Sequence, residues 1–182
     1  MTVARRKAAQ AQRGKADLHP HDALVLLTAD HNELDKLVRE FERQPKTGDA
    51  VEKGKAALRI CHAFEVYAAI KREVFYPAAE AVLEGEDREA LAARREDIAD
   101  TIAKVEATPA DDPSFDSAVA ALAEQIKRLT KQEEETLFPR LRHSKLDLVG
   151  TGERMAARKT ELSTAPLDRD TIREARKVLG GR

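Results

Sequence analysis

The sequence has few of the residues that build sheets, disulfide scaffolds or membrane spans. Only 4% of its 182 residues are Phe, Tyr or Trp, and Trp is absent. Because β-branched and aromatic runs are scarce, a sheet protein is disfavoured. Cys61 is the only cysteine, so no internal disulfide can form, and we expect a reducing, cytoplasmic location. No apolar run approaches the roughly 20 residues that span a bilayer, so we expect no membrane partner.

Charge is abundant but balanced. Lys and Arg number 32, Asp and Glu number 33, and the formal net charge is −1. No overall field therefore recruits nucleic acid or an anionic surface, and we expect no nucleic-acid partner. Residues 1–20 are basic, without the apolar segment of an export signal. We interpret them as a flexible basic segment; a nucleic-acid arm is the alternative, although no aromatic residues interleave with the charges.

Prolines and glycines divide the rest of the chain into five helical segments. The predicted helices cover about 22–44, 49–84, 87–107, 112–143 and 147–163. They stop before Pro45, at Gly85 and before Pro109, and Asp112 is predicted to cap the fourth helix, with Pro113 at its first position. Residues 21–163 are thus predicted to form one domain, and residues 164–182 a polar tail.

Apolar residues recur at alternating spacings of three and four in the first four segments. This pattern predicts an all-α protein, an antiparallel up-down-up-down four-helix bundle with a short C-terminal helix alongside. One ionisable residue interrupts each stripe: His31, Lys71, Arg95 and Glu133. A buried charge is unfavourable unless it is paired. Either each side chain reaches the surface by itself, or the four share one polar layer, which we favour.

A short motif occurs twice. The sequences EVFYP at 73–77 and ETLFP at 135–139 each place a proline four residues after a glutamate. Each proline removes a helical hydrogen bond and is predicted to bend its helix. The repeat suggests two helical hairpins related by a pseudo-two-fold axis.

Several stretches together resemble the hemerythrin-like HHE cation-binding domain. They are DALVLLTADHNELDKLVREFE, RICHAFEVYAAIKREVFYPAAE, DDPSFDSAVAALAEQI with EEETLFPRLR, and LDLVGTGERMAARKTEL, and they cover about residues 20–163. The resemblance implies a four-helix bundle around a non-haem diiron centre. Its ligands come from all four helices as His, His-x-x-x-Glu, His and His-x-x-x-Glu, a set that suits iron in a bundle interior.

Most ligand positions implied by this resemblance are substituted. They fall on His31, Tyr67, Lys71, Arg95, Leu129 and Glu133. Only His31 and Glu133 keep their ligand type, and they are the metal ligands only if a residual site exists. A charged lysine and a leucine have no lone pair for iron. We therefore expect no cofactor, and we predict that Lys71 replaces the charge of the metal and pairs with Glu133, helped by His31 and Tyr67.

The remaining histidines and acidic residues near the site are predicted to lie off its face. We interpret these glutamates as solvated and these histidines as unable to complete a metal site: His19, His21, His62, Glu65, Glu73, Glu134, Glu135 and His143.

Three functions stay open at the level of sequence. The favoured one is a metal-independent binding or regulatory bundle whose interior, with its cationic layer, holds a small anion or the carboxylate of a protein partner. The second is an iron or dioxygen-binding protein with an altered site, mononuclear for instance, built from His31, Tyr67 and Glu133, with or without a further carboxylate that rotates in. The third is an enzyme in which Lys71 acts as a base or Schiff-base amine, which burial favours and Glu133 opposes. We leave open whether the protein is an enzyme and expect that it is not.

Overall fold

The computed structural model describes residues 19–45, 48–86, 88–89 and 98–164, and these residues contain helices and turns but no strand. The helices are α1 (Ala23–Glu42), α2 (Ala50–Glu80), α3 (Ala99–Ala107), α4 (Phe115–Arg142) and α5 (Leu148–Thr164). Two of them contain a π-helical turn, at Lys71–Phe75 in α2 and at Glu133–Leu137 in α4. Most of the predicted N-terminal segment and C-terminal tail lies outside the described residues.

The first four helices form the predicted bundle. The end of α1 meets the start of α4, where the rings of Phe41 and Phe115 are 6.2 Å apart. The start of α1 meets the end of α4, where Arg142 approaches Asp22 at 3.4 Å. These two contacts make α1 and α4 antiparallel. Short connections join α1 to α2 and α3 to α4, and each of these pairs packs together.

The core consists of the apolar stripes seen in the sequence. Their removal from water supplies the main driving force for folding. Buried stripe residues come from all four helices: Leu24, Leu27, Leu34, Ile60, Phe64, Ile102, Val105, Val119, Leu122 and Ile126.

Aspartates cap the first two helices, and the cap predicted for the fourth helix is wrong. Asp22 accepts a hydrogen bond from the Leu24 N–H, and Asp49 from the Val51 N–H, both at 2.8 Å. In α4 the N-cap is Ser114. Asp112 accepts from the Ser114 N–H at 2.8 Å, so Asp112 and Pro113 form a turn before the helix and not its first positions.

Two of the predicted helices differ from those in the structure. α2 ends at Glu80, because the Val82 N–H bonds to the Ala79 carbonyl in a tighter i to i+3 turn. Gly85, with φ 51°, follows beyond that turn. The predicted third helix is interrupted at Ile98, whose φ of −94° and ψ of 5° leave the helical geometry and whose buried side chain faces the core. Its predicted start at residue 87 lies outside the described residues.

The two prolines follow π-helical turns. The Tyr76 N–H bonds to the Lys71 carbonyl, and the Phe138 N–H bonds to the Glu133 carbonyl, which is the i to i+5 pattern. Pro77 follows Tyr76, and Pro139 follows Phe138. The extra residue in each turn accommodates the missing N–H and the bulk of the proline ring. Lys71 and Glu133 are therefore equivalent, each the first residue of its π turn.

α5 packs against α1 and α2. Met155 is buried in this contact, Lys159 pairs with Asp30 of α1, and Arg158 lies 2.7 Å from Glu73 of α2. No helix among the described residues has the length and apolar character to cross a bilayer.

The contact between α5 and the start of α1 predicts one sensitive glycine. A Cβ at Gly152 would lie 1.7 Å from the His21 carbonyl oxygen and 2.9 Å from the Ala23 nitrogen. Both are backbone atoms, so helix and loop would have to separate. We expect Gly152→Ala to lower the free energy of unfolding by about 1–3 kcal/mol or more, measured by urea denaturation.

Gly150→Ala is the matched control. Its added Cβ would meet only the end of the Asp147 side chain. That group can rotate away, with the loss of its hydrogen bond from the Gly150 N–H, which is worth about 1 kcal/mol. Alanine, however, has a higher helix propensity than glycine by about 1 kcal/mol. Equal losses at both positions would contradict the close packing at Gly152.

Candidate functional site: a buried lysine–glutamate layer

Side chains of α1, α2 and α4 meet in the bundle interior and form what we name the polar layer: His31, Tyr67, Lys71 and Glu133. All four are buried, with 0% exposure for Glu133 and 2% for Lys71. Lys71 and Glu133 form an ion pair. The ionisable residues that interrupt the stripes of these three helices therefore lie together in the bundle interior. None of the side chains of the polar layer reaches the surface by itself.

The carboxylate of Glu133 is the centre of the polar layer. Its Oε1 accepts from the Lys71 ammonium and, at 3.4 Å, from the Tyr76 hydroxyl. Its Oε2 accepts from the Tyr67 hydroxyl and lies 3.2 Å from His31 Nε2. A carboxylate offers about four acceptor positions. Four protein groups surround this one.

The Lys71 ammonium lies between two aromatic rings. Its Nζ is 4.5 Å from the ring centre of Tyr67 and 5.0 Å from that of Tyr76. It also donates to the Tyr67 hydroxyl oxygen at 3.0 Å. A cation this close to a ring face is attracted by the quadrupole of the ring. Glu133 and the two rings thus compensate the lysine charge from several directions.

His31 links the polar layer to the surface. Its Nε2 lies 2.9 Å from the Tyr67 hydroxyl, and its Nδ1 lies 2.7 Å from Oε1 of Glu134. The Glu134 contact and stacking on Phe138 hold the ring in place. Glu134 is 45% exposed. The prediction that Glu134 is merely solvated is wrong, because the side chain turns back to the histidine.

The pKa values in the polar layer follow from burial and from the ion pair. Burial acts to raise the pKa of Glu133, but the Lys71 charge and the hydrogen bonds from His31, Lys71 and Tyr67 outweigh it and lower that pKa to about 2. Burial lowers the pKa of Lys71, and Glu133 opposes this shift. Burial, followed by the charge of Glu133, raises the pKa of Tyr67 well above its usual value. The phenol therefore keeps its proton at neutral pH.

The other sequence-predicted positions divide into three cases. Leu129 is buried one turn before Glu133 and contributes no polar atom. Arg95 lies outside the described residues. Glu73 is only partly solvated, since it pairs with Arg158 of α5.

Sequence reasoning missed Tyr76. In a regular α-helix a residue five positions after Lys71 lies on another face. The π turn has more residues per turn and brings the Tyr76 ring beneath the ammonium of Lys71. The proline after Tyr76 was the one available signal, because a proline late in a helix indicates irregular geometry.

The donors of the polar layer do not match a diiron centre. Within the described part of the chain, no group of three or more His, Cys, Asp or Glu side chains is placed to hold a metal ion. The layer has one imidazole, one carboxylate and one protonated phenol. Lys71 brings a charged donor against the carboxylate, where a metal needs a lone pair.

Together, the bundle and the placement of His31 and Glu133 in its interior define a hemerythrin-like helical domain. The sequence model of the hemerythrin HHE cation-binding domain matches residues 22–141. The chain therefore belongs to this family.

A solved structure shares this fold. It is the crystal structure of a hemerythrin HHE cation-binding domain-containing protein from Mycobacterium kansasii. That protein is 19% identical to this chain, with a TM-score of 0.61 over 78% of this chain and 86% of the other. At this identity the likeness concerns the fold alone. No curated protein matches the sequence.

The ion pair predicts strong coupling between Lys71 and Glu133. Lys71→Met leaves the carboxylate without its cation, and Glu133→Gln leaves the ammonium without its anion. We expect each single change to lower the free energy of unfolding by about 3–5 kcal/mol. The double variant should lose less than the sum, because no unpaired charge remains. Denaturant unfolding of the four proteins measures this, and additive losses would mean that the two side chains do not interact.

The lowered pKa of Glu133 predicts acid sensitivity. The unfolded chain has the ordinary pKa of 4.5, and the folded protein about 2. The stabilisation is therefore complete above about pH 4.5 and is lost as pH falls towards 2, because the unfolded state then binds the proton more readily. The stability of the parent should fall more steeply in this window than that of Lys71→Met/Glu133→Gln, by at most about 1.4 kcal/mol per pH unit. Parallel pH curves would contradict this assignment.

Proposed function

We propose that this hemerythrin-like domain has lost the diiron site and acts as a metal-independent binding or regulatory bundle. The observation that supports this most directly is the coordination of Glu133. Lys71, Tyr76, Tyr67 and His31 surround its two oxygen atoms. A metal at this carboxylate would have to displace hydrogen bonds that the chain itself provides.

The charge of Lys71 supports the same proposal. A buried carboxylate needs a compensating cation, and a metal ion is one way to supply it. Here the ammonium of α2 supplies it from the position that the family resemblance assigns to a glutamate ligand. The bundle can then fold without metal, since its apolar stripes already provide a core.

An altered iron or dioxygen site is the second candidate, and one observation favours it. His31 Nε2, the Tyr67 oxygen and Glu133 Oε2 lie close together, with Nε2 2.9 Å from the phenol and 3.2 Å from the carboxylate. Against it, the raised pKa of Tyr67 disfavours the tyrosinate that ferric iron would need. A bound ferric–tyrosinate centre would show a visible absorption band.

An enzymatic role for Lys71 is the weakest candidate. Burial lowers its pKa, as a Schiff-base lysine requires. However, the side chain is 2% exposed and its ammonium is paired, so a carbonyl substrate has no direct approach. We therefore propose no catalytic residue. Borohydride reduction in the presence of small aldehydes would trap an adduct if this view is wrong.

We place the binding partner, a small anion or a protein, on the surface of the bundle and not in the polar layer. Lys71 is already committed to Glu133, so the interior has no spare positive charge to offer. A cleft of about 440 Å³ between α1 and α5 has an apolar floor with Met155 and a rim on which Asp30 and Lys159 pair with each other. Such a cleft suits an apolar group of a protein partner better than a small anion. It is the place where we would first look for a partner.

Metal content tests the proposal. Protein expressed in iron-replete medium should contain far less than one iron per chain. Prolonged chelation should leave the melting temperature unchanged, because no metal contributes folding energy. A clear fall on chelation that iron reverses would overturn the proposal in favour of the altered metal site.

A restored ligand set is the positive control. The variant Tyr67→His, Lys71→Glu, Arg95→His and Leu129→His returns the family pattern that the resemblance implies. We expect this variant to take up iron under conditions in which the parent does not. A folded variant that binds no iron would mean that the ligand positions are misassigned or that the helices have left the diiron geometry.

A further inference from the structure

We propose that Glu133 and the ring faces of Tyr67 and Tyr76 form a binding site for a primary ammonium ion in the bundle interior, and that Lys71 fills this site from within the chain. The inference rests on the proposal that the layer works without metal. It goes further by naming the class of cation that the interior accepts.

The first argument is the pair of ring faces. The Lys71 Nζ lies 4.5 Å and 5.0 Å from the ring centres of Tyr67 and Tyr76. A carboxylate with aromatic faces around one cation is the chemistry by which proteins recognise organic ammonium ions. Divalent metals need lone pairs from oxygen, nitrogen or sulfur, which ring faces do not supply.

The second argument is hydrogen bonding, which selects a primary ammonium. The ammonium donates to Glu133 Oε1 and, at 3.0 Å, to the Tyr67 hydroxyl oxygen. The Tyr67 hydroxyl donates in turn to Glu133 Oε2. Its proton is therefore committed to Glu133, and its oxygen, which also lies 2.9 Å from His31 Nε2, accepts from Lys71. A quaternary ammonium has no N–H group for these two acceptors and would leave both without a donor.

The third argument is the exclusion of water. Glu133 has 0% exposure and Tyr67 has 2%, so an ammonium here meets protein groups only. The chain offers a natural comparison in Lys53, which is also buried and lies 2.7 Å from Asp116. The Asp116 side chain is 42% exposed. Part of the Asp116 carboxylate therefore meets water, although the Oδ1 that pairs with Lys53 is buried. The Glu133 carboxylate has no exposed part, so water is a poorer substitute for the ammonium there.

The test uses the full chain with Lys71→Ala. This substitution removes three carbons and one nitrogen, and propylammonium has those same atoms. We expect the melting temperature of this variant to rise with propylammonium concentration and then level off, as for a ligand that binds only the folded state. Uncharged 1-propanol should not produce this rise.

Three matched variants identify the groups responsible. Lys71→Ala/Glu133→Gln should lose the response, because the anion is gone. Lys71→Met should not respond, because its side chain fills the space. Lys53→Ala should show at most a small response. An equal rise with 1-propanol, an equal rise in Lys53→Ala, or stabilisation by Zn²⁺ in place of propylammonium would overturn the inference. Iron in the parent would instead overturn the proposed function, so the two failures are distinguishable.

A second measurement keeps the inference testable if Lys71→Ala does not fold at any amine concentration. Tyr76→Leu removes one ring face, and Tyr76→Phe removes only the hydroxyl. Tyr76→Leu should raise the equilibrium constant of unfolding in both the parent and Lys71→Met. The increase should be roughly 3- to 30-fold larger in the parent, because Lys71→Met has no cation next to the ring. Tyr76→Phe should keep most of this coupling. The same change in both backgrounds would mean that Tyr76 contributes apolar packing alone.

Discussion

The carboxylate of Glu133 sits at the centre of the bundle without contact to solvent, and the interior around it is arranged to compensate its charge. Burial alone would favour the protonated form, yet the surrounding donors lower the pKa to about 2. Lys71 provides the compensating charge, while Tyr67 and His31 provide hydrogen bonds. Loss of either charged partner alone leaves the other buried and unpaired, so each charge depends on the other.

Irregular turns of the backbone position the ion pair of Lys71 and Glu133. Lys71 and Glu133 each open a π-helical turn, and a proline follows each turn. In a regular helix, a proline leaves one carbonyl without its N–H partner, and the proline ring clashes with that carbonyl. The π turn absorbs both and rotates the following residues, so that Tyr76 comes beneath the ammonium. The repeated glutamate-to-proline motif is thus a structural device on two helices that face each other across the core.

α5 connects the polar layer to the rest of the molecule. It lies beyond residues 22–141, which the family model matches, and packs against α1 and α2. Its two ion pairs reach Asp30, the neighbour of His31, and Glu73, which lies in the same π turn as Lys71. Gly152 allows the close approach that these contacts need. α5 therefore fixes the positions of the two helices that carry most of the layer.

The sequence by itself determined the helical class, the apolar stripes, the starts of the first two helices near Asp22 and Asp49, and the pairing of Lys71 with Glu133. These follow from periodicity and from the cost of burying single charges, both of which are local or pairwise. Only the tertiary structure decided the role of Tyr76, the return of Glu134 to His31 and the end of α2 at Glu80. The Tyr76 contact and the end of α2 depend on departures from regular helix geometry. The Glu134 contact depends on a side chain that bonds to a residue distant in sequence. A pattern that assumes an ideal helix contains no information about either.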